Sequence, residues 1–444
     1  MKTHRLYICM ALLALTVFIA GCATPSFIKE KPAPAVPADV AEQQALPPDE
    51  KIEPPAPLDP FRILPGPSVD HNAIGCVLPL SGRFADTGNK AMDAFLLSAN
   101  IYNPQFSSPW KIIAVDSGES VDTTRAAIER LATREKVMAI IAVVGATDAP
   151  GAALEAQRLE VPLILITPRE GVAGENEYVF QHFLTPSQQA KALARYALDA
   201  QNVAIFSILY PDDDYGREMT VLFQDELRKA GGRIDQAVSY NRSQTDFTEQ
   251  INKITNNRIT QSKIDAAKRT AQSKKNPEAD VEEKRTIPVP FEALFIPDSH
   301  FRVQMIASQL AFYDVTGIKL LGTSLWHSPD LLKNDTGYLE GAVFADSFSV
   351  NSFLRETNDF IDIYYTEYSR EPGNVEALAY DTMEMVLNIL EGQRIQTRKE
   401  FVEALLAVDR YPGVTGLISF AGSRTAQKTP FILQVRRGKI EQVR

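Results

Sequence analysis

The chain has 444 residues, 45% of them hydrophobic and 23% charged, with a formal net charge of -10 at pH 7. That acidic balance excludes a nucleic-acid partner, because phosphate recognition needs a basic surface. Of the cysteines, Cys9 and Cys22 lie in and at the end of the first apolar stretch. Cys76 stands alone between Gly75 and Val77. Processing of the N-terminus therefore leaves no intramolecular disulfide, and Cys76 reads as a small buried hydrophobe.

Residues 1–21 read as an export signal. Lys2, His4 and Arg5 form its basic start, and 6–19 is apolar, of signal-peptide length and too short to span a bilayer comfortably. No later apolar run is long enough to span one. Ile19-Ala20-Gly21-Cys22 then sets a cysteine where a bacterial lipoprotein signal is cut and acylated, so Cys22 is the expected lipidation site. The attached chains would anchor the protein as a single chain does not. An ordinary cleaved signal with an incidental cysteine would instead leave it free in solution. By resemblance to lipoproteins of enteric-type bacteria, where Asp after the cysteine retains the protein in the inner membrane, Ala23 implies the outer membrane, facing the periplasm. Residues 22–68 are rich in proline, among them Pro32, Pro34, Pro37, Pro47, Pro48, Pro54, Pro55 and Pro57. So little apolar surface does not offset the entropy of ordering, and the segment reads as a disordered tether. Some 45 residues at about 3.1 Å each reach on the order of 140 Å when fully extended.

The head, 69–444, suits two lobes. Strands are expected over 73–80, 110–116, 138–144 and 162–166, with helices over 90–99, 123–132 and 151–159 between them. A second series follows: a helix over 186–200 opened by Thr185-Pro186, a strand over 203–210, a helix over 217–230 closed by Gly231-Gly232, and a strand over 234–240. Strands over 293–296, 319–321 and 342–345 come later, and Thr397 to Glu400 forms a capping box before a helix over 401–406. Short apolar runs between amphipathic helices are the pattern of parallel strands covered on both faces. The expected fold is α/β: a clamshell of two doubly wound parallel-sheet lobes joined by several crossovers. Lobe 1 is expected at about 69–184 and 323–415, lobe 2 at about 185–322 and 416–444. The cleft between the carboxyl ends of their strands is the expected ligand site. The polar block 256–285, with mixed charge, reads as a solvated helical excursion. A docking arm for another protein is the sharper alternative.

Ile74-Gly75-Cys76-Val77-Leu78-Pro79-Leu80-Ser81-Gly82, Asp213-Asp214-Tyr215-Gly216 and Thr245-Asp246-Phe247 resemble, in order, the signposts of type I periplasmic binding proteins of the branched-chain amino acid group. Within that superfamily, Ser81-Gly82-Arg83, Leu294-Phe295-Ile296-Pro297-Asp298-Ser299, Leu321-Gly322-Thr323-Ser324-Leu325-Trp326 and Leu339-Glu340-Gly341-Ala342-Val343-Phe344 are more similar to the lipoprotein activators of penicillin-binding proteins, the murein synthases.

The resemblance implies ligand contacts at Ser81, Gly82, Arg83, Thr147, Asp148, Thr167, Arg169, Tyr215 and Asp298. In amino acid binders of this fold a serine hydroxyl and backbone amides after the third strand hold the ligand carboxylate. Here that loop reads Gly145-Ala146-Thr147-Asp148-Ala149. Thr147 keeps a donor, whereas Asp148 sets a like charge against the carboxylate. The next anchor reads Thr167-Pro168-Arg169-Glu170-Gly171, in which one hydroxyl is kept and Arg169 offers a fork for an anion. Tyr215 matches the tyrosine lining the second lobe, and Asp298 is the candidate partner for a ligand ammonium. Thr87 stands where an aromatic wall is usual, with Phe84 close by. For Arg83 and Arg169 the competing reading is an ion pair with Asp86, Asp148 or Glu170. For Trp326 it is burial in a core.

Catalytic motifs are missing: there is no His-Glu-x-x-His, no Gly-x-Ser-x-Gly elbow and no metal spacing among His182, His300 and His327. Gly82 to Lys90 has the wrong spacing for a phosphate loop. The reading is a non-enzymatic, membrane-anchored binding lipoprotein without cofactor or metal. Its expected role is activation of a murein synthase. The alternative is capture of an amino acid-like or other small polar solute for an ABC permease.

Overall fold

The computed structural model describes residues 69–443 apart from 103–104, 106–107, 274–285 and 334–336. The signal, Cys22 and the 22–68 tether lie outside the described residues.

Lobe 1 starts from β1 (Asp70–Leu78), α1 (Ala85–Ser98), β2 (Lys111–Asp116), α2 (Val121–Thr133), β3 (Val137–Val143), α3 (Ala149–Arg158), β4 (Leu163–Ile166) and β5 (Val179–Gln181). These strands form one five-stranded parallel sheet in the order β2-β1-β3-β4-β5. Every residue of β3, Val-Met-Ala-Ile-Ile-Ala-Val, is buried, because helices cover both faces of the sheet. Ala127, Leu131, Ala152 and Ala156 of α2 and α3 pack on one face.

Lobe 2 contains α4 (Pro186–Arg195), β6 (Ile205–Pro211), α5 (Asp214–Ala230), β7 (Arg233–Tyr240), α6 (Thr248–Ile254), α7 (Arg258–Ser273), β8 (Ala293–Phe295), α8 (His300–Phe312), β9 (Lys319–Gly322) and β10 (Val343–Asp346). The chain then returns to lobe 1 for α9 (Arg355–Tyr368), α10 (Asn374–Gly392) and α11 (Arg398–Leu406). Leu378, Met385 and Phe401 of these helices close the second face of the first sheet, against Ile74, Cys76, Leu78, Met138 and Ile141. A small antiparallel sheet follows, of β11 (Tyr411–Gly413), β12 (Gly416–Ser419) and β13 (Gln427–Lys428). The chain ends with β14 (Phe431–Arg436) and β15 (Lys439–Gln442), which add antiparallel to β10 and to each other, giving the seven-stranded order β15-β14-β10-β9-β8-β6-β7.

The α/β clamshell is therefore present, with different crossing points. β9 and β10 lie in the same sheet as β6, so the second crossing falls between Asp346 and Phe348, not at 322/323. The third falls between Lys428 and Phe431, not at 415/416, because Ile418, Phe420 and Ala426 pack in the lobe 1 core while Phe431 packs in lobe 2. The block 256–285 supplies α7, with 274–285 outside the described residues. It is not purely a solvated excursion: Ile259 is buried in the lobe 2 core, and the Lys263 ammonium lies 4.9 Å from the Tyr313 ring centroid. No helix among the described residues is long and apolar enough to cross a membrane.

Candidate ligand cleft at the strand carboxyl ends

In each lobe the first strand is flanked by the second and third, and the loops at the parallel strands' carboxyl ends are where such sheets bind ligands. The lobe 1 loop after β1 is fixed by two carboxylates. Asp116 Oδ1 at the end of β2 accepts the Leu80 N–H at 2.9 Å and the Gly118 N–H at 3.0 Å. The Ser81 hydroxyl above all, with these N–H groups, holds the Asp116 carboxyl below its ordinary range. Glu119 Oε1 accepts the Arg83 N–H at 3.2 Å. Gly82 has φ +70, and a Cβ there would stand 2.0 Å from that carboxylate. The Arg83 guanidinium rests over the Phe84 ring at 4.5 Å, and Phe84 is 51% exposed.

After β3, Thr147 is exposed and Asp148 half-buried, and the Asp148 carboxylate caps no N–H of α3. After β4, Thr167 is fully buried and its hydroxyl accepts the Arg169 N–H at 3.4 Å, so it acts within its own loop. Gln181 braces that loop by donating to the Thr167 and Arg169 carbonyls at 2.9 and 2.7 Å. Arg169 itself is exposed. Two of the three suggested ion-pair partners are otherwise engaged: Asp86 meets Lys90 at 2.6 Å, and Glu170 accepts the Ser187 N–H and hydroxyl at 3.2 and 2.9 Å.

In lobe 2, Asp213 caps α5 by accepting the Gly216 N–H at 2.8 Å, which sets Tyr215 in the first turn. The Tyr215 hydroxyl donates to Thr323 Oγ1, after β9, at 3.0 Å, and burial pushes its phenol up. Asp298, after β8, accepts the Tyr240 hydroxyl at 2.7 Å and the Ser299 N–H at 2.6 Å. Glu218 follows Tyr215 by three residues, one helical turn further along the same face. Although Glu218 is exposed, the desolvation it does suffer raises its carboxyl, Glu170 raises it further, and Arg169 opposes both. Lobe 1's Arg169-Glu170 loop thus lies within electrostatic reach of lobe 2's α5. Trp326 is core: fully buried, it donates to the Ile296 carbonyl at 3.1 Å and stacks so close to Gly322 that a Cβ there would lie 2.1 Å from the indole.

Topology thus brings Ser81, Gly82, Arg83, Thr147, Asp148, Thr167 and Arg169 to one edge of lobe 1, and Tyr215 and Asp298 to the matching edge of lobe 2. Sequence reasoning missed Asp116, Glu119, Glu218 and Thr323. Glu218 was signalled by its spacing from Tyr215, whereas the Asp116 contacts span 36 residues and left no local trace. Among the described residues no group of three His, Cys, Asp or Glu side chains could hold a metal ion.

A family model described as periplasmic binding protein matches residues 73–439. The chain belongs to the periplasmic binding protein family. No curated protein sequence matches it significantly. Solved structures similar to this periplasmic binding protein include a candidate branched-chain amino acid ABC transporter of Rhodospirillum rubrum, at 19% identity and TM-score 0.71, covering 84% of this chain and 99% of that one. Another is the branched-chain amino acid transporter substrate-binding protein of Streptococcus pneumoniae in complex with isoleucine, at 20% identity and TM-score 0.60, covering 84% and 99%. A third is an ABC transporter solute-binding protein of Rhodopseudomonas palustris in complex with 3,4-dihydroxybenzoic acid, at 18% identity and TM-score 0.62, covering 84% and 96%. At such identities the likeness carries the fold.

Proposed function

We propose that this periplasmic binding protein is the solute-capturing component of an ABC-type uptake system, and that its lobes close on a small, carboxylate-bearing, amino acid-like solute. The observation that carries the reading is the pair of unlike half-sites. Lobe 1 offers the exposed Thr147 hydroxyl and Arg169 guanidinium, and lobe 2 offers Tyr215, Glu218 and Asp298. Isoleucine and 3,4-dihydroxybenzoic acid, bound by two of the similar proteins, share a carboxylate, which supports an anionic group at Arg169. Asp148 beside Thr147 opposes a carboxylate in the loop after β3, so a plain aliphatic amino acid such as leucine should bind poorly.

A thermal-shift and calorimetry screen of amino acids and aromatic acids tests this. A ligand at a hundredfold excess over its Kd should stabilise the protein by about 2.7 kcal/mol. Tyr215→Ala should abolish that shift, and equal stabilisation of both proteins would put the ligand elsewhere. Micromolar leucine binding would remove the specificity argument.

The second reading is a murein-synthase activator held at the outer membrane by a lipid on Cys22. It rests on the four activator-like strings and the proline-rich 22–68 segment, and the comparisons favour solute capture over it. Loss of outer-membrane fractionation in Cys22→Ala, together with synthase pull-down by the full chain and no solute in the screen, would reverse the order.

A further inference from the structure

The first crossing leads straight into α4, and consecutive residues in the first turn of that helix bond to three separate parts of the molecule. Ser187 reaches lobe 1. Its N–H and its hydroxyl donate to the two oxygens of Glu170, at 3.2 and 2.9 Å. That N–H is among the donors at a helix start that no helical carbonyl accepts, and the carboxylate meets the positive end of the helix. Since the Ser187 proton goes to Glu170, the Thr185 hydroxyl donates to Ser187 Oγ at 2.9 Å and accepts the Gln188 N–H at 3.4 Å. Gln188 adds a second tie to lobe 1. Its Nε2 donates to the carbonyl of Ala426, a lobe 1 core residue, at 2.7 Å, and the Ala426 N–H donates to the Gln181 carbonyl at the end of β5 at 2.8 Å. Gln189 turns the other way. It is 3% exposed, donates from Nε2 to the Leu184 carbonyl at 3.2 Å, and accepts the Ser324 N–H at 3.0 Å. Ser324 follows Thr323, whose Oγ1 receives the Tyr215 hydroxyl.

One helical turn thus grips the Arg169-Glu170 loop of lobe 1 and, two residues on, the Thr323-Ser324 turn of lobe 2. Those loops carry the two half-sites of the cleft. Residues two apart on a helix do not face each other, so Ser187 and Gln189 address different neighbours from one rigid frame. The Arg169 loop is braced from behind by Gln181, so the bond to Ser187 holds α4 to a fixed point of lobe 1. Tyr215 is aimed by its bond to Thr323, so a displaced Thr323-Ser324 turn re-aims the phenol. We propose that Ser187 and Gln189 are positioning residues that hold the two half-sites in register across the first crossing. Ser187 fixes the first turn of α4 to lobe 1 through Glu170, and Gln189 passes that position to Thr323 and so to the Tyr215 hydroxyl. Their role in capture rests on the cleft being the solute site, whereas the contacts that couple the loops are present without a solute.

The test places 3-fluorotyrosine at position 215 of the full chain and reads its fluorine NMR resonance without ligand. A solute screen that finds nothing then strikes the proposed function and leaves this measurement intact. Thr323→Val marks the resonance of a Tyr215 hydroxyl released from its partner. Gln189→Met, of similar length but without donor or acceptor, should move the resonance at least half of that distance. Ser187→Ala, which changes no charge, should move it in the same direction by less, and Ser187→Thr, which keeps the hydroxyl, should hold it at the wild-type position. Urea unfolding checks that each variant is folded. A contact that is merely structural lowers the unfolding midpoint and leaves the resonance in place, and that result in Gln189→Met or in Ser187→Ala overturns the proposal. Should Gln189→Met not fold, Ser187→Ala at its half-buried site decides alone. A resonance displaced as far in Ser187→Thr as in Ser187→Ala also overturns the proposal, as does one that Thr323→Val leaves unmoved, because Tyr215 is then not aimed by Thr323.

Discussion

The loop after β1 shows how single side chains prepare the cleft. Gly82 is left-handed and Glu119 closes over it, so Gly82→Ala should lose about 1–2 kcal/mol from backbone strain and loosen Arg83, read by urea unfolding. Asp116 gives a prediction with a sign. Its folded carboxyl lies below the ordinary 3.8, so its contribution is present above that value and is lost as pH falls through the lower folded one. Asp116→Asn should therefore cost about 1 kcal/mol near neutral pH, and the gap to wild type should close in acid. Ser81, Gly82 and Arg83 were legible in the sequence as a string. The carboxylates that fix them were not, because they arrive from β2 and the turn after it.

At the scale of elements, local chemistry was readable wherever it was self-contained. The capping box before α11 forms as spelled: Thr397 Oγ1 accepts the Glu400 N–H at 3.2 Å, and Glu400 Oε2 accepts the Thr397 N–H at 2.9 Å. Thr397→Ala should cost about 1 kcal/mol in thermal or urea unfolding. The buried strands β3 and β4 announced themselves as unbroken apolar runs, β1 by its apolar second part from Ala73 on, and β6 by a run that Ser207 interrupts. β11 to β15 did not, since strands of two to six residues that mix Gly, Pro and charge carry no period of their own and exist through their partners. Trp326 illustrates the same limit. Its residue type suggested core, but not that Gly322 is its seat. Gly322→Ala should destabilise lobe 2 by about 3 kcal/mol or more, because a Cβ at 2.1 Å from the ring forces backbone or indole to move.

For the whole molecule, the expected crossings at 322/323 and 415/416 were misplaced because strand order is a long-range property, and nothing local tells β10 or β13 which sheet it joins. Lys428 links that architecture to pH. Its folded value of about 8 lies below the ordinary 10.5, so between those values the unfolded chain holds the proton more tightly and stability rises with pH through this group. The melting temperature of wild type relative to Lys428→Met should be flat below about pH 8 and climb above it, as calorimetric scans across that window would read. The split construction of lobe 1 also orders its assembly. All five strands of its sheet precede residue 184, yet the face bearing Ile74, Met138 and Ile141 is closed by α10 and α11, at 374–406. A chain emerging N-terminus first therefore begins this lobe early and finishes it late, and holds a greasy, half-built surface throughout the synthesis of the other lobe.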